Sequence, residues 1–298
     1  MAELYRRIWQ ATGPQQIILI LLSLVIAVLA TVPLQFQKLV VNGLAEDMTR
    51  NRLVALCAGY FAILILIYGL KIALRYRSSI LSESVVRRIR GLLYDNARQT
   101  GTRSEPARGT LITTITDEAD EVGRFAGDAI AAPLLQFGTL VAVVAFVAET
   151  QPLLGLFMFL LILPQVFLVL YLQRFVNARV KTRVQTLREA MGTISKEELD
   201  KVSDSVRADF DSIFEIQRDI IKIKLSLKFI LNALSGVGTV GILLFGGLLF
   251  LDDRTDIGSV VASLSAFQRV NGPWQTLIAF YRQLSAVRVR FELLLLRL

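Results

Sequence analysis

Few side chains in this chain could do chemistry, and those that could would bind a ligand rather than react with it. Arg269 lies inside a long apolar run, with Gln268, Asn271, Trp274 and Gln275 beside it. Gln136 and Gln165 interrupt two other apolar runs. Polar groups in such surroundings cost roughly 1–3 kcal/mol each unless they face protein or water. They are therefore expected either to line a polar path or to hydrogen-bond one helix to another. A lone arginine there suits an anionic or amphipathic ligand. Lys71, the other cation in an apolar run, stands near the run's end. Its stem is expected to carry the ammonium out to the headgroups. The acidic cluster Asp117-Glu118-Ala-Asp120-Glu121 could hold a divalent cation. However, Asp120 and Glu121 precede Arg124 by helical ion-pair spacing, so ion pairs on a helix face are the expectation.

Bond-making chemistry has little to work with. There is no histidine, which excludes His-based metal sites and general bases. Cys57 is the single cysteine, so it forms no internal disulfide and reads as a small apolar side chain. No G-x-x-x-x-G-K-[ST] phosphate loop occurs. Leu234-Ser-Gly-Val-Gly238 is glycine-rich but opens an apolar run, so it reads as small residues for helix packing.

The elements that must hold these residues are set by hydropathy. The chain is 54% hydrophobic with a mean hydropathy of +0.55, and its apolar residues come in blocks. Six blocks are predicted as spans: Ile17–Leu34, Leu53–Leu74, Ile130–Ala148, Leu153–Leu172, Phe229–Leu251 and Ile257–Phe280. Each is close to the ~20 residues a helix needs to cross ~30 Å of hydrocarbon. None shows the alternation of a barrel strand, so helices are required. These spans contain no Asp or Glu. Pro273 is expected to kink the sixth, and Pro33 and Pro164 theirs.

Between the blocks lie two long polar stretches, Arg75–Ala129 and Gln173–Lys228, of 55 and 56 residues. The first carries Ile80, Leu81, Val85, Ile89, Leu92 and Leu93 at helical spacing and breaks at the turn-rich Gly101–Pro106. About 25 residues of helix would reach roughly 38 Å. The second is expected to break near Gly192-Thr193. It would restart at a capping box, Ser195-Lys-Glu-Glu198, and return through Phe214, Ile220, Ile223 and Leu227.

Of the 33 Lys and Arg, 27 fall in the two arms and the terminal segments. The positive-inside rule then puts both arms and both termini in the cytoplasm, here of a bacterial inner membrane. The +8 net charge reports topology rather than nucleic-acid binding. Residues 1–16 read as an interfacial elbow helix ending at Gly13-Pro14, followed by a retained first span with no convincing cleavage site near Thr31–Gln35. The opposite loops, Asn42–Arg52, Glu149–Pro152 and Asp252–Asp256, are short.

This all-α membrane protein, with six transmembrane helices and two long cytoplasmic helical extensions, resembles the transmembrane domain of exporter-type ABC transporters. The likeness covers residues 17–298 as the domain and 1–16 as its elbow. Gly109-Thr-Leu-Ile-Thr-Thr-Ile-Thr-Asp117 is similar to the family's stretch after the first coupling helix. Gln283-Leu-Ser-Ala-Val-Arg-Val-Arg-Phe-Glu-Leu-Leu is similar to the helix leading out of the sixth span.

The resemblance implies coupling helices near Thr102–Ile112 and Ser195–Arg207, with Arg103, Ser104, Glu105, Ser195 and Glu198 as candidates for docking an ATPase. The second tip departs from the family's usual glycine-hydrophobic text. The resemblance also implies a homodimer or heterodimer of twelve spans in the lipid bilayer. Arg269, Gln268, Gln275, Gln136 and Gln165 would line the translocation path, or else bond helices within one subunit. This chain is expected to bind no cofactor and hydrolyse no ATP. ATP and Mg would sit on a separate ATPase, unless the chain is truncated. Two rival readings are a receptor or regulatory protein of the same fold, and a secondary carrier. The missing intramembrane acids disfavour the carrier.

Overall fold

The computed structural model describes residues 2–100, 116, 118–196 and 199–295. Among the described residues seven helices follow in order: α1 (Ala2–Leu29), α2 (Val32–Ala45), α3 (Arg50–Thr100), α4 (Ala119–Thr150), α5 (Pro152–Lys196), α6 (Leu199–Leu251) and α7 (Ile257–Leu295). No strand occurs among the described residues. Five stretches are long and apolar enough to cross a membrane: Thr12–Ala45, Arg50–Gln99, Ala119–Thr150, Pro152–Leu187 and Val206–Leu251. The sixth apolar block, in α7, is diluted by Gln268, Arg269 and Gln275 and is not among them. A helix that turns polar groups toward a protein cavity has less need to be apolar.

The spans and the arms are single helices. α3 has 51 residues, so it is about 76 Å long, more than twice the ~30 Å hydrocarbon core. It is described to Thr100, and the break expected at Gly101–Pro106 lies outside the described residues.

The chain divides into two compact units, Met1–Gly155 with Gly247–Leu298, and Leu156–Gly246. In the first, α4 is the hub and packs against α1, α3 and α7, while α2 packs on α3 and α7. Hydrophobic burial cannot drive helices together in lipid, so close packing and polar bonds must. The sequence of α4 meets that demand with small residues. A Cβ on Gly123 would lie 2.8 Å from the Val86 backbone, and one on Gly127 would strike the Ser78 carbonyl and Ser82 hydroxyl of α3. Ser78 Oγ instead donates to Asp128 at 2.6 Å, and Ser82 Oγ donates to the Arg124 carbonyl at 2.9 Å. From α1, the buried Gln16 donates to the Ala126 carbonyl at 2.9 Å and Ser23 to that of Ala131 at 3.3 Å. Toward the arms, Ile8, Leu93, Phe125 and Val287 share one core, and Phe125 stacks on Phe280 at 5.5 Å.

Three prolines show how packing overrides or exploits a missing N–H. A helix break is expected at Gly13-Pro14, yet α1 continues through it. Pro14 forfeits one bond, and residues on both sides of it, Ile8 and Gln16, are held against α4. Pro33 instead splits the first predicted span. Leu34 N–H turns to the Thr31 carbonyl at 2.9 Å, so the Ala30 carbonyl loses its helical donor. Pro133 leaves the Ala129 carbonyl without a helical donor, and Tyr5 Oη donates to it at 3.4 Å.

Two short loops end their helices in the same way. After α2, Met48 N–H bonds the Gly43 carbonyl at 2.9 Å with Asp47 at φ 54°. After α6, Arg254 N–H bonds the Leu249 carbonyl at 2.9 Å with Asp253 at φ 54°. This is the Schellman closure, with aspartate where glycine is usual.

The second unit is a hairpin of α5 and α6. Phe157 meets Phe245 at 5.5 Å, Arg179 pairs with Asp219 at 3.7 Å, and Arg183 donates to Gln217 at 2.6 Å. That antiparallel register closes toward the connection between Lys196 and Leu199. The expected break at Gly192-Thr193 is not there, since α5 runs to Lys196. A single glycine costs a helix only about 1 kcal/mol. The backbone of Ser195 belongs to the last turn of α5, and the capping box expected at Ser195–Glu198 lies outside the described residues at Glu198.

Candidate functional site

A cavity of about 510 Å³ opens in the first unit. Four helices present one stripe each to it. On α3 the stripe is Leu64, Ile67, Tyr68 and Lys71; on α7 it is Arg269, Gly272, Pro273 and Thr276. Both follow the three-four-seven spacing of one helix face. α4 gives Gln136 and Thr139 among its residues, and α1 and the α1–α2 joint give Ile26, Ala30 and Pro33.

The wall carries both cations of the predicted spans and, among the described residues, no carboxylate. Arg269 is half-buried, and its Nη1 lies 3.5 Å from the Ala30 carbonyl, the group that the Pro33 break leaves without a helical donor. This holds the guanidinium in place without neutralising it. Lys71 lies over the Tyr68 ring at 5.8 Å from its centroid, one turn back on the same helix. Lys71, expected from sequence to reach toward the headgroups, is exposed and also lines the cavity. Neither cation has an ion-pair partner among the described residues.

The two wall threonines are already committed. Thr139 donates to the Leu135 carbonyl at 2.7 Å and Thr276 to that of Gly272 at 3.2 Å. Gln136 and the Tyr68 hydroxyl add neutral donors and acceptors to the wall. Gln268 and Gln275 are exposed and outside the lining, one face round α7 from Arg269. Gln165 is buried in the second unit, and its amide donates to the Leu161 carbonyl of its own helix at 3.2 Å.

Two members of the acidic cluster form ion pairs, and Asp117 lies outside the described residues. Asp120 bonds Arg124 at 2.7 Å and Arg90 of α3 at 3.4 Å, and Glu121 bonds Arg290 of α7 at 2.6 Å. No group that could hold a metal ion occurs among the described residues.

The family model for the ABC transporter transmembrane region matches residues 17–197, more than half of the chain. The chain belongs to this family. No nucleotide-binding family matches it, and no curated protein does. As an ABC transmembrane region it is an integral membrane protein, and the match runs from the first span to the tip of the second arm. Of the residues suggested for docking an ATPase, Arg103, Ser104, Glu105 and Glu198 lie outside the described residues.

Sequence reading missed Lys71, Tyr68 and Thr276. The signal was present as cation and aromatic three residues apart on α3, and as the Arg269–Thr276 heptad on α7.

Proposed function

We propose that this ABC transmembrane region forms the substrate path of an ATP-driven transporter. It works as a dimer with a second transmembrane region, identical or related, and is driven by an ABC ATPase domain, in this polypeptide or another, that carries ATP and Mg. Both arms and both termini face the cytoplasm, as the basic residues favour, and the membrane is a bacterial inner membrane.

One observation carries this reading. α3 contributes Leu64, Ile67, Tyr68 and Lys71 to the cavity and then runs without interruption to Thr100. From Lys71 to Thr100 is about 44 Å of helix. A push at the arm end is therefore delivered to the cavity wall by one rigid rod. ATP-driven closure of an ATPase pair supplies such a push, and α3 turns it into opening or closing of the path.

The test is reconstitution. The chain should co-purify with an ABC ATPase, and proteoliposomes holding both should show ATP-dependent flux. Equal flux driven by an ion gradient, with no ATPase present, would make the protein a carrier and end this reading.

A further inference from the structure

Resting on the transport reading above, we infer that the cavity accepts a small amphipathic anion: one carboxylate, sulfonate or phosphate group on an apolar body. The argument is one of charge and shape. Lys71 on α3 and Arg269 on α7 approach the same cavity from different helices. Neither is neutralised by a carboxylate among the described residues, and their anchors, the Tyr68 ring and the Ala30 carbonyl, are uncharged. Gln136 adds a neutral donor between them on α4. The rest of the wall is mostly apolar, with Ile26, Leu64, Ile67, Leu135 and Val143, and its other polar groups, the Tyr68, Thr139 and Thr276 hydroxyls, carry no charge to meet a second charged group. A volume of about 510 Å³ lies within the ~300–1,000 Å³ of small-molecule sites, and is too small for a folded peptide.

The anionic group can come from a free cargo or from an anionic phospholipid headgroup, since the chemistry is shared. A cation has no partner in this wall, and a neutral apolar molecule leaves both charges unmet. Lys71 and Arg269 are thus selectivity residues, and the apolar wall supplies affinity without discriminating.

The experiment uses the full chain in nanodiscs of phosphatidylcholine, with two probes sharing one ring system. Anilinonaphthalene sulfonate carries the negative group, and phenylnaphthylamine lacks it. Protein-dependent, saturable fluorescence is expected for the sulfonate. The double variant Lys71→Gln/Arg269→Gln should weaken it by at least about tenfold, as loss of charged hydrogen bonds would. Binding of the neutral probe should not change. The charge-retaining Lys71→Arg/Arg269→Lys should keep sulfonate binding, which guards against a folding defect. In discs containing phosphatidylglycerol, competition with the sulfonate would assign the site to a lipid headgroup, and its absence to a free cargo. Unchanged sulfonate binding in the double glutamine variant, or equal loss of both probes, overturns the inference. No ATPase is needed, so failure of coupling and failure of anion selectivity are read separately.

Discussion

Asn42 joins the end of α2 to the start of α7 by gripping Asp256. Its Nδ2 donates to Asp256 Oδ1 at 2.7 Å, while its Oδ1 accepts the Gly258 N–H, also at 2.7 Å. Asp256 in turn caps α7, accepting Ser259 N–H at 2.6 Å and Ser259 Oγ at 2.7 Å, with Lys38 Nζ at 3.3 Å. Gly258 has no side chain because a Cβ there would meet Asn42 and the Lys38 carbonyl. This clamp fixes the two helices on the short-loop side of a unit whose cavity lies between the same elements.

Removing the clamp should loosen that end. Asn42→Ala deletes two hydrogen bonds, one to a charged acceptor, and should cost about 1–3 kcal/mol in detergent unfolding. Gly258→Ala should be comparably harmful, because the neighbour that must move is backbone. A variant pair with unchanged melting would show the contacts to be incidental.

The same aspartate gives a pH dependence. Burial opposes its charge, but the hydrogen bonds from Ser259 and Asn42 and the Lys38 charge prevail and hold its carboxyl below the usual range. A depressed folded pKa stabilises above the unfolded value, near ~3.9, and that stability vanishes as pH falls through the folded value. Asp256→Asn should therefore melt below wild type at neutral pH. The gap should close only below about pH 4. A constant gap from pH 7 to 3 would assign the effect to packing.

Much of this was written in the sequence, because lipid tolerates only helices. The apolar blocks and the Asp252–Asp256 loop follow from hydropathy and turn residues. The site was half legible. Arg269 and Gln136 stood out as polar groups in apolar runs, but which face of α7 meets the cavity was not encoded locally. Gln268 and Gln275 are a heptad apart on one stripe, and Arg269 and Thr276 form the next. A helix polar on both stripes gives no contrast from which to choose. Tertiary packing likewise decided Pro14, where local chemistry pointed to a break, while at Gly192 one glycine costs a helix too little to break it.

The two aspartates at φ 54° invite a gain of stability. L-residues resist the left-handed region, with aspartate among the more tolerant, and glycine enters it freely. Asp253→Gly should stabilise by up to about 1 kcal/mol and raise the melting point, and Asp253→Ala should lower it. If both substitutions lower it, the Asp253 carboxylate has a role beyond the turn.

Tyr5 and Pro133 should be coupled although one only compensates for the other. Tyr5→Phe leaves the Ala129 carbonyl without a partner and should cost about 0.5–1.5 kcal/mol. Pro133→Ala restores a helical N–H to that carbonyl. On that background Tyr5→Phe should be nearly neutral, and a double-mutant cycle measures the difference. Additive effects would mean that the 3.4 Å contact does not satisfy the carbonyl.

The stiffness of α3 is the last quantity that can be probed, and it bears most directly on function. Glu83 is exposed and lies between Lys71 and the arm end, clear of the cavity lining. Glu83→Pro removes the N–H that serves the Ser79 carbonyl and clashes with it, costing the helix about 3 kcal/mol and creating a hinge. Glu83→Ala keeps the rod. With the partner ATPase present, the proline variant should still hydrolyse ATP but lose most ATP-dependent flux, while the alanine variant retains both. The hinge sits between engine and wall, so hydrolysis at one end would no longer set the position of Lys71 at the other. Full flux through the hinged variant would mean that force reaches the cavity by another route, and α3 would be only a strut.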